Sequence, residues 1–224
     1  MMLMETFPAL RGTLSWARLP LVLGAALLCV FVPTFIFSPE GKLNWLLEVG
    51  PALAGMIALA ITCRRFPMSR LVYVCVFVHA LILVYGGFYT YAKAPLGEWM
   101  RDAFHLQRNN YDKIGHFAFG FFPVFVLREV FLRLTRLERG GWLGFTLIAV
   151  VLGLAAAYEL FEWGAAVILD PAGGDRFLGT QGDVWDAQSD MLWAGIGATV
   201  GLLGLRRLHD RSMERLRAAL GGTA

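Results

Sequence analysis

Long apolar segments constrain this chain more than any other feature of its sequence. A membrane-spanning helix needs roughly 20 predominantly apolar residues. Six windows meet this description, near 19–37, 43–62, 70–88, 114–133, 142–163 and 184–205. With 57% hydrophobic and 17% charged residues, the chain is too apolar for an ordinary soluble domain. We therefore predict an all-α fold, a polytopic membrane protein whose residues 1–224 form a single bundle of about six transmembrane helices.

The basic residues predict how this bundle is oriented. If the N-terminus is cytoplasmic, 14 of the 20 lysines and arginines fall on the cytoplasmic side and 6 on the other. The positive-inside rule then places both termini in the cytoplasm. Because Lys and Arg mainly record topology in a membrane protein, the net charge of +3 does not indicate a nucleic-acid partner. Membrane lipids are the expected partners, and the sequence leaves the oligomeric state open.

The acidic residues show the opposite bias. Twelve of the 17 lie at or beyond the predicted outer ends of the helices. Acidic side chains contribute little to topology, so this asymmetry indicates an extracytoplasmic site. On the predicted cytoplasmic side, Arg128 and Glu129 are interpreted as an interface anchor or a local ion pair.

The segment RNNYDKIGHF at 108–117 enters the fourth predicted span from outside. It places Asp112 and His116 four residues apart, on one face of a helix, where both side chains could point at one ligand. A histidine inside a membrane is a functional candidate, and ordinary hydrogen bonding in the core is an equally good interpretation of His116. For Asp112 the structural alternative is a role at the start of the helix.

The fifth predicted span ends in YELFEW at 158–163, which sets Glu159 and Glu162 three residues apart. Two carboxylates in an apolar helix are costly unless they are paired, hydrated or bound to a cation. Alternatively, Glu162 reaches water and only Glu159 is buried. The pair resembles the inward-facing glutamates of helical carboxylate metal sites, but the histidine of a Glu-x-x-His motif is missing, which argues against a di-iron centre.

Three aspartates precede the last apolar segment. Asp183, Asp186 and Asp190 are spaced i, i+3, i+7 and would share one stripe if the segment is helical. Such a stripe suits a hard cation such as Mg²⁺ or Ca²⁺, whose ligands are oxygens. A solvated helix in a loop would have the same composition, and Asp183 could serve as the N-cap of the helix.

Smaller features accompany these blocks. Glu48 is another acidic residue near the predicted outer side of the membrane, early in the second predicted span. His79 lies in the middle of the third span. Gly195, Gly197 and Gly201 recur along the sixth span, a pattern that predicts close helix packing.

Over residues 43–201 the sequence resembles the bacterial inner-membrane family of unknown function typified by YjdF. The blocks that carry the resemblance are GGFYTYAKAPLGEW, RNNYDKIGHFAFGFFP, REVFLR, YELFEW and FLGTQGDVWDAQSDM. The resemblance implies a multi-pass protein of the bacterial inner (cytoplasmic) membrane.

A more distant resemblance is to VanZ-like membrane proteins. In that group a DK-x-x-H entry, an acidic helix and an aspartate precede a Gly-rich final helix. The positions that match are Asp112, Lys113, His116, Glu159, Asp186 or Asp190, Gly197 and Gly201. The group commonly has an Asn soon after the Asp, whereas this chain has Trp193 and Ala194 there. The resemblance implies a cell-envelope role, related to resistance to glycopeptides such as teicoplanin.

Three hypotheses for the function follow from these features. The first is an extracytoplasmic site that uses a divalent cation (Mg²⁺, Ca²⁺ or Zn²⁺) to bind, or act on, an anionic lipid or envelope precursor. There His116, Asp112 and Glu159 are the candidate catalytic residues. The candidate metal ligands are His116, Glu159, Glu162, Asp183, Asp186 and Asp190. The second is a small proton- or cation-coupled transporter that uses His79 or His116, and the third is a non-catalytic accessory protein. The sequence leaves open whether any reaction occurs.

Overall fold

The structure, a computed structural model, describes residues 14–169 and 180–221. All regular structure in these two ranges is helical, as predicted. The helices are α1 Leu14–Ile36, α2 Lys42–Thr62, α3 Arg70–Tyr89, α4 Pro95–Phe104, α5 Tyr111–Phe121, α6 Pro123–Leu134, α7 Gly141–Leu169 and α8 Asp186–Ala219. A short 3₁₀ turn, Tyr91–Lys93, joins α3 to α4. Arg11 and Arg176, which enter the predicted orientation, lie outside the described residues.

Four helices are long and apolar enough to cross a bilayer. They are Arg18–Ile36, Lys42–Thr62, Arg70–Tyr89 and Gly141–Ile168, with mean hydropathy between 1.7 and 2.4. They correspond to the first, second, third and fifth predicted spans. Large apolar side chains point outward from them, as with Leu21 at 70% exposure and Trp142 at 77%. Side chains of this kind stay exposed at low cost when the surrounding solvent is lipid.

The other two predicted spans have a different form. The window 114–133 is divided between α5 and α6, which meet at Phe122 and Pro123. A proline has no backbone N–H and suits the first turn of a helix, so a new helix begins there. The window 184–205 falls largely within α8, which begins two residues later and continues to Ala219 over 34 residues.

Small residues let α5 and α8 pack closely. A Cβ on Gly120 would overlap the backbone of Ala194, and one on Gly197 would overlap the backbone of Phe117. Gly201 also faces the backbone of α5, whereas a Cβ on Gly195 would meet only a side chain of α7. The predicted packing role therefore holds for this helix, and it fixes the C-terminal half of α5 against the first half of α8.

Two apolar clusters form the core. One includes Val72, Phe125 and Leu147 and joins α3, α6, α7 and α8. The other includes Trp45 and Val84 and joins α1, α2 and α3. Helix α3 contributes to both clusters, so it is the central element of the described bundle.

Candidate functional site

Buried ionisable side chains form two clusters at opposite ends of the bundle, and α8 contributes to both. The Asp190 cluster consists of Arg108, Asp112, Lys113, His116, Glu159, Asp186 and Asp190. The His209 cluster consists of Arg128, Glu129, Arg133, His209 and Asp210, joined by the backbone N–H of Ser69 and by the exposed Arg139 at its edge. Asp190 and His209 are about 19 residues apart on one helix, which corresponds to about 28 Å. That is close to the roughly 30 Å thickness of a bilayer's hydrocarbon core.

Two basic side chains balance part of the Asp190 cluster. The Lys113 Nζ lies 2.7 Å from Asp186 Oδ1 and 2.9 Å from Asp190 Oδ1. Arg108 Nη2 lies 2.7 Å from Asp112 Oδ2 and 2.5 Å from Asp186 Oδ1. Burial by itself would lower the pKa of Arg108, but the Asp112 and Asp186 carboxylates outweigh burial and raise it. Asp112, Asp186 and Asp190 could together hold a metal ion by their spacing, but Lys113 already occupies the space between two of them.

A second group of ligand atoms is not occupied in this way. His116 Nε2 lies 3.6 Å from Glu159 Oε1 and 3.7 Å from Asp190 Oδ2. These atoms, supplied by α5, α7 and α8, all lie within 4.8 Å of one another. Glu159 Oε1 is buried and has no hydrogen-bond partner among the described residues. A buried acceptor left unpaired is costly, so the arrangement favours a bound cation or proton at this point.

A cavity of about 60 Å³ adjoins these atoms, which is room for a few water molecules or a small polar group. Its ionisable lining comes from four helices, namely Glu48, Asp112, His116, Glu162 and Asp190. The cavity therefore brings together two of the predicted catalytic residues, His116 and Asp112, and three of the predicted metal ligands, His116, Glu162 and Asp190.

Glu48 also lines this cavity. Its Oε1 atom accepts hydrogen bonds from Thr90 Oγ1 at 2.7 Å and Asn44 Nδ2 at 2.8 Å. The residue is only 5% exposed, and its Oε2 atom has no partner among the described residues. Thr90 holds a φ of 58° at the end of α3, a left-handed conformation that is rare for a β-branched residue. The sequence identified Glu48 as an acid at outer depth but gave no signal for Thr90.

The three aspartates before the last span do not act as one stripe. Helix α8 begins at Asp186, so Asp183 lies in the preceding turn. There its Oδ1 accepts a hydrogen bond from the Trp185 backbone N–H at 2.9 Å. The alternative of Asp183 as N-cap is also wrong, because the N-cap of α8 is Trp185 and Asp183 only closes the turn before it. Asp186 and Asp190 alone project from α8 into the cluster.

The sequence also gave no signal for a clamp between two loops. The backbone N–H of Asn109 donates to Gln181 Oε1 at 3.1 Å, and Gln181 Nε2 donates to the carbonyl of Asn109 at 2.8 Å. The Arg108 guanidinium also donates to the carbonyl of Thr180 at 2.6 Å. These bonds join the start of α5 to the start of α8 and so position Lys113 against its two aspartates.

The His209 cluster is more fully paired. Glu129, with no exposed surface, accepts hydrogen bonds from the Ser69 backbone N–H at 2.9 Å and from Arg133 Nη1 at 2.8 Å. Its other oxygen lies 3.2 Å from His209 Nε2, and Arg128 Nη1 lies 2.8 Å from His209 Nδ1. Both oxygens of the carboxylate are thus satisfied, and this cluster ties α3, α6 and α8 together.

Arg128 also pairs with Asp210 at 2.8 Å, and Arg139 pairs with the same oxygen at 3.0 Å. Burial alone would raise the pKa of Asp210, but the hydrogen bonds from Arg128 and Arg139 lower it. The interpretation of Arg128 and Glu129 as part of a local ion pair agrees with this geometry. His209, which links them, gave no signal in the sequence because a lone histidine among arginines has no distinctive spacing.

His79 belongs to neither cluster. It is buried in α3, where its ring lies 6.3 Å from the rings of Phe119 and Phe122. Its Nε2 atom has no hydrogen-bond partner among the described residues. Phe119 also lines the cavity, so this ring lies between His79 and the Asp190 cluster.

Apolar helices that expose large side chains, together with buried ionisable groups that gather mainly in two clusters, define the class of this protein as a helical multi-pass membrane protein. Residues 19–211 match the family described as "Predicted membrane protein (DUF2238)", and the chain belongs to that family. It is 44% identical over 178 residues to "Inner membrane protein YjdF" of Escherichia coli (strain K12), which covers 80% of this chain and 85% of that protein. The predicted family and the inner-membrane location are thereby confirmed. No solved structure matches the chain.

Proposed function

We propose that the protein crosses the inner membrane six times, with both termini in the cytoplasm. Helices α5 and α6 follow each other directly, so together they span about 36 Å, and α8 alone spans about 51 Å. Both lengths exceed the roughly 30 Å hydrocarbon core. The arginines near the His209 cluster then lie on the cytoplasmic side, as the positive-inside rule requires, and the Asp190 cluster faces the other side.

We further propose that the Asp190 cluster is an extracytoplasmic divalent-cation site, with His116, Glu159 and Asp190 as the ligands. The observation that carries this proposal is the convergence of three ligand atoms within 4.8 Å, one of them the unpaired buried Glu159 oxygen. Arg108 and Lys113 engage Asp112, Asp186 and the Oδ1 atom of Asp190, so they leave the Oδ2 atom of Asp190 to an additional cation.

The charge of the site predicts the class of ligand that such a cation would recruit. Carboxylates repel a phosphate unless a metal ion lies between them, so cation and anionic ligand are proposed together. An anionic lipid or a phosphate-bearing envelope precursor meets this requirement at the membrane surface. In a hydrolytic or transfer reaction, Glu159 and Asp190 would hold the metal and His116 would serve as ligand or general base. Asp112 would act as a positioning residue through Arg108.

Metal analysis of the purified protein tests this proposal. We expect about one divalent ion per chain after dialysis, lost in Glu159→Gln, because the amide keeps the shape of the side chain but not its charge. Asp183→Asn is the matched control, since Asp183 lies in the turn before α8, and this variant should keep the metal. A wild-type protein that is folded and free of metal, and whose thermal stability does not respond to added divalent ions, would refute the cation site.

One observation favours a second candidate, a proton- or cation-coupled transporter. His79 is an ionisable residue buried in the middle of α3, and its Nε2 atom, which has no partner among the described residues, is available to bind a proton. Flux measurements in liposomes distinguish the two candidates. Proton-linked flux that disappears in His79→Ala, with metal binding unchanged or absent, would favour transport. If the protein shows neither flux nor bound metal, and Glu159→Gln and His79→Ala only lose stability, the role of a non-catalytic accessory protein would remain.

A further inference from the structure

Glu48 presents an acceptor that nothing in the described structure satisfies. Thr90 and Asn44 both bind Oε1, which fixes the carboxylate and leaves Oε2 unpaired. The residue is 95% buried and lines the cavity beside the Asp190 cluster. Because an unpaired buried charge is costly, a donor beyond the described residues is expected at this oxygen.

The part of the cavity lined by Glu48 and Glu162 is called the Glu48 wall here, and the charges around it favour a cationic donor. Glu162 of α7 lines the same cavity as Glu48 of α2, so two carboxylates reach it from different helices. Two lysines near this end of the bundle are engaged elsewhere, since Lys113 binds Asp186 and Asp190 and Lys93 binds Glu40 at 2.6 Å. A neutral donor would leave this excess of negative charge uncompensated.

The remaining walls suit an organic cation better than a second metal ion. Tyr91, Phe119 and Tyr158 line the cavity, and aromatic rings attract a nearby cation. A Mg²⁺ or Ca²⁺ ion takes six or more oxygen ligands, some of them water, and here Glu48 and Glu162 offer fewer protein ligands than the three of the proposed cation site. A primary ammonium group has three N–H donors, one of which can satisfy Glu48 Oε2.

We propose that the Glu48 wall is a binding subsite for a primary ammonium group. The volume of about 60 Å³ fits an ammonium with one or two carbon atoms, as in an ethanolamine headgroup or a small free amine. Because the subsite shares its cavity with His116 and Asp190, a ligand that fills both parts would carry an ammonium and an anionic group a short distance apart. The ammonium subsite rests on the proposed function in placing this cavity at the extracytoplasmic face, and the anionic group of such a ligand rests on the proposed cation site.

Calorimetric titration of the full-length protein in phosphatidylglycerol nanodiscs with methylammonium tests the subsite. Wild type should bind the amine, and Glu48→Gln should weaken binding at least about tenfold, because a charge-assisted hydrogen bond is lost. Glu40→Gln is the matched control, as its carboxylate pairs with Lys93 near the same end of the bundle, and its affinity should remain within about twofold of wild type, as expected of an exposed ion pair. Equal affinity of wild type and Glu48→Gln would overturn the proposal.

Two comparisons on the wild type keep the test independent of how well the variant folds. Neutral methanol, and choline, which lacks N–H donors, should bind at least about tenfold more weakly than methylammonium. Equal binding of either would overturn the assignment of a primary ammonium. Titration in EDTA separates the two proposals, since amine binding that survives metal removal supports the subsite even if the cation site fails. No heat with methylammonium, with or without EDTA, would overturn the subsite alone.

Changing the lipid composition of the nanodiscs shows whether the natural ammonium ligand is a lipid headgroup or a free amine. If the natural ligand is a lipid headgroup, nanodiscs with phosphatidylethanolamine should weaken methylammonium binding in wild type and not in Glu48→Gln. If it is a free amine, the affinity of wild type should be the same in both lipids. Either result supports the subsite, and weakening that is equal in wild type and Glu48→Gln would overturn it.

Discussion

His116 Nε2 and Glu159 Oε1 lie 3.6 Å apart, on helices α5 and α7. This separation is too long for a hydrogen bond. It is close to the spacing of two ligands that share one metal ion, since ligand atoms lie roughly 2–2.6 Å from such an ion. The Glu159 carboxylate lies near the His116 imidazole but does not hydrogen-bond to it. By contrast, Glu129 and Arg133 form a direct ion pair at the other end of the bundle.

Lys113 substitutes for a metal ion between Asp186 and Asp190, which gives a first prediction. Lys113→Met should destabilise the protein by about 3–5 kcal/mol, because it leaves two buried carboxylates uncompensated. Divalent cations should restore part of this loss, since the ligand atoms of Asp112, Asp186 and Asp190 lie within 4.8 Å of one another. Thermal unfolding with and without Mg²⁺ measures both effects. Lys93→Met, at an exposed ion pair, is the control, and an equal loss in both variants would contradict the prediction.

The close contact of α5 and α8 gives a second prediction. Gly197→Ala should cost about 1–3 kcal/mol or more, because the added Cβ overlaps the backbone of Phe117 and forces the helices apart. Gly204→Ala, on the same helix but with open space around it, should be neutral or stabilising by up to about 1 kcal/mol. Chemical denaturation in mild detergent compares them. Similar stability of the two variants would show that the helices do not pack as described.

The arginine pairs of Asp210 give a third prediction, on pH dependence. The pKa of Asp210 is lowered in the folded protein, so its stabilising effect is present above the unfolded value, near 3.8, and is lost as the pH falls through the folded value. Asp210→Asn should therefore destabilise the protein at neutral pH, and the difference from wild type should shrink in acid. Unfolding curves between neutral pH and about pH 3 measure this difference. A difference that is constant over this range would contradict the ion pairs.

A fourth prediction concerns the orientation of the bundle. In a variant with Cys29, Cys63 and Cys75 replaced by Ser, Asp102→Cys should react with a membrane-impermeant maleimide in intact spheroplasts.

A second single-cysteine variant on that background, Glu138→Cys, should react only after the membrane is opened. Both positions are exposed in the structure, so accessibility depends on the side of the membrane alone. The reverse pattern would refute the proposed orientation, and labelling of both cysteines in intact spheroplasts would refute the proposed number of spans.

Much of this architecture could be predicted from the sequence because the bilayer simplifies it. Apolar length alone located the four helices that meet the criteria for a span, and the spacing of Asp112 and His116 placed them together in the cavity lining. The spacing of Asp183 and Asp186 was misleading, because a periodicity predicts a shared face only where the helix has already begun. The break before Pro123 was also missed, since both sides of it are equally apolar.

The contacts that complete the site could not be predicted, because they depend on the approach of distant segments. Glu48 and Thr90 are 42 residues apart, and Asn109 and Gln181 are 72 apart. Neither pair has a local periodicity that would predict its contact. Thr90 and Gln181 also adopt a positive φ, which cannot be predicted from the sequence at a threonine or a glutamine.

The uninterrupted helix α8 has a mechanical consequence. It carries Asp190 near its beginning and His209 toward its end, with no proline between them, and a continuous helix barely stretches along its axis. Any sliding or rotation of α8 that opened the cavity would therefore also pull His209 away from Glu129. The fully paired cluster at the far end therefore opposes such a movement of α8.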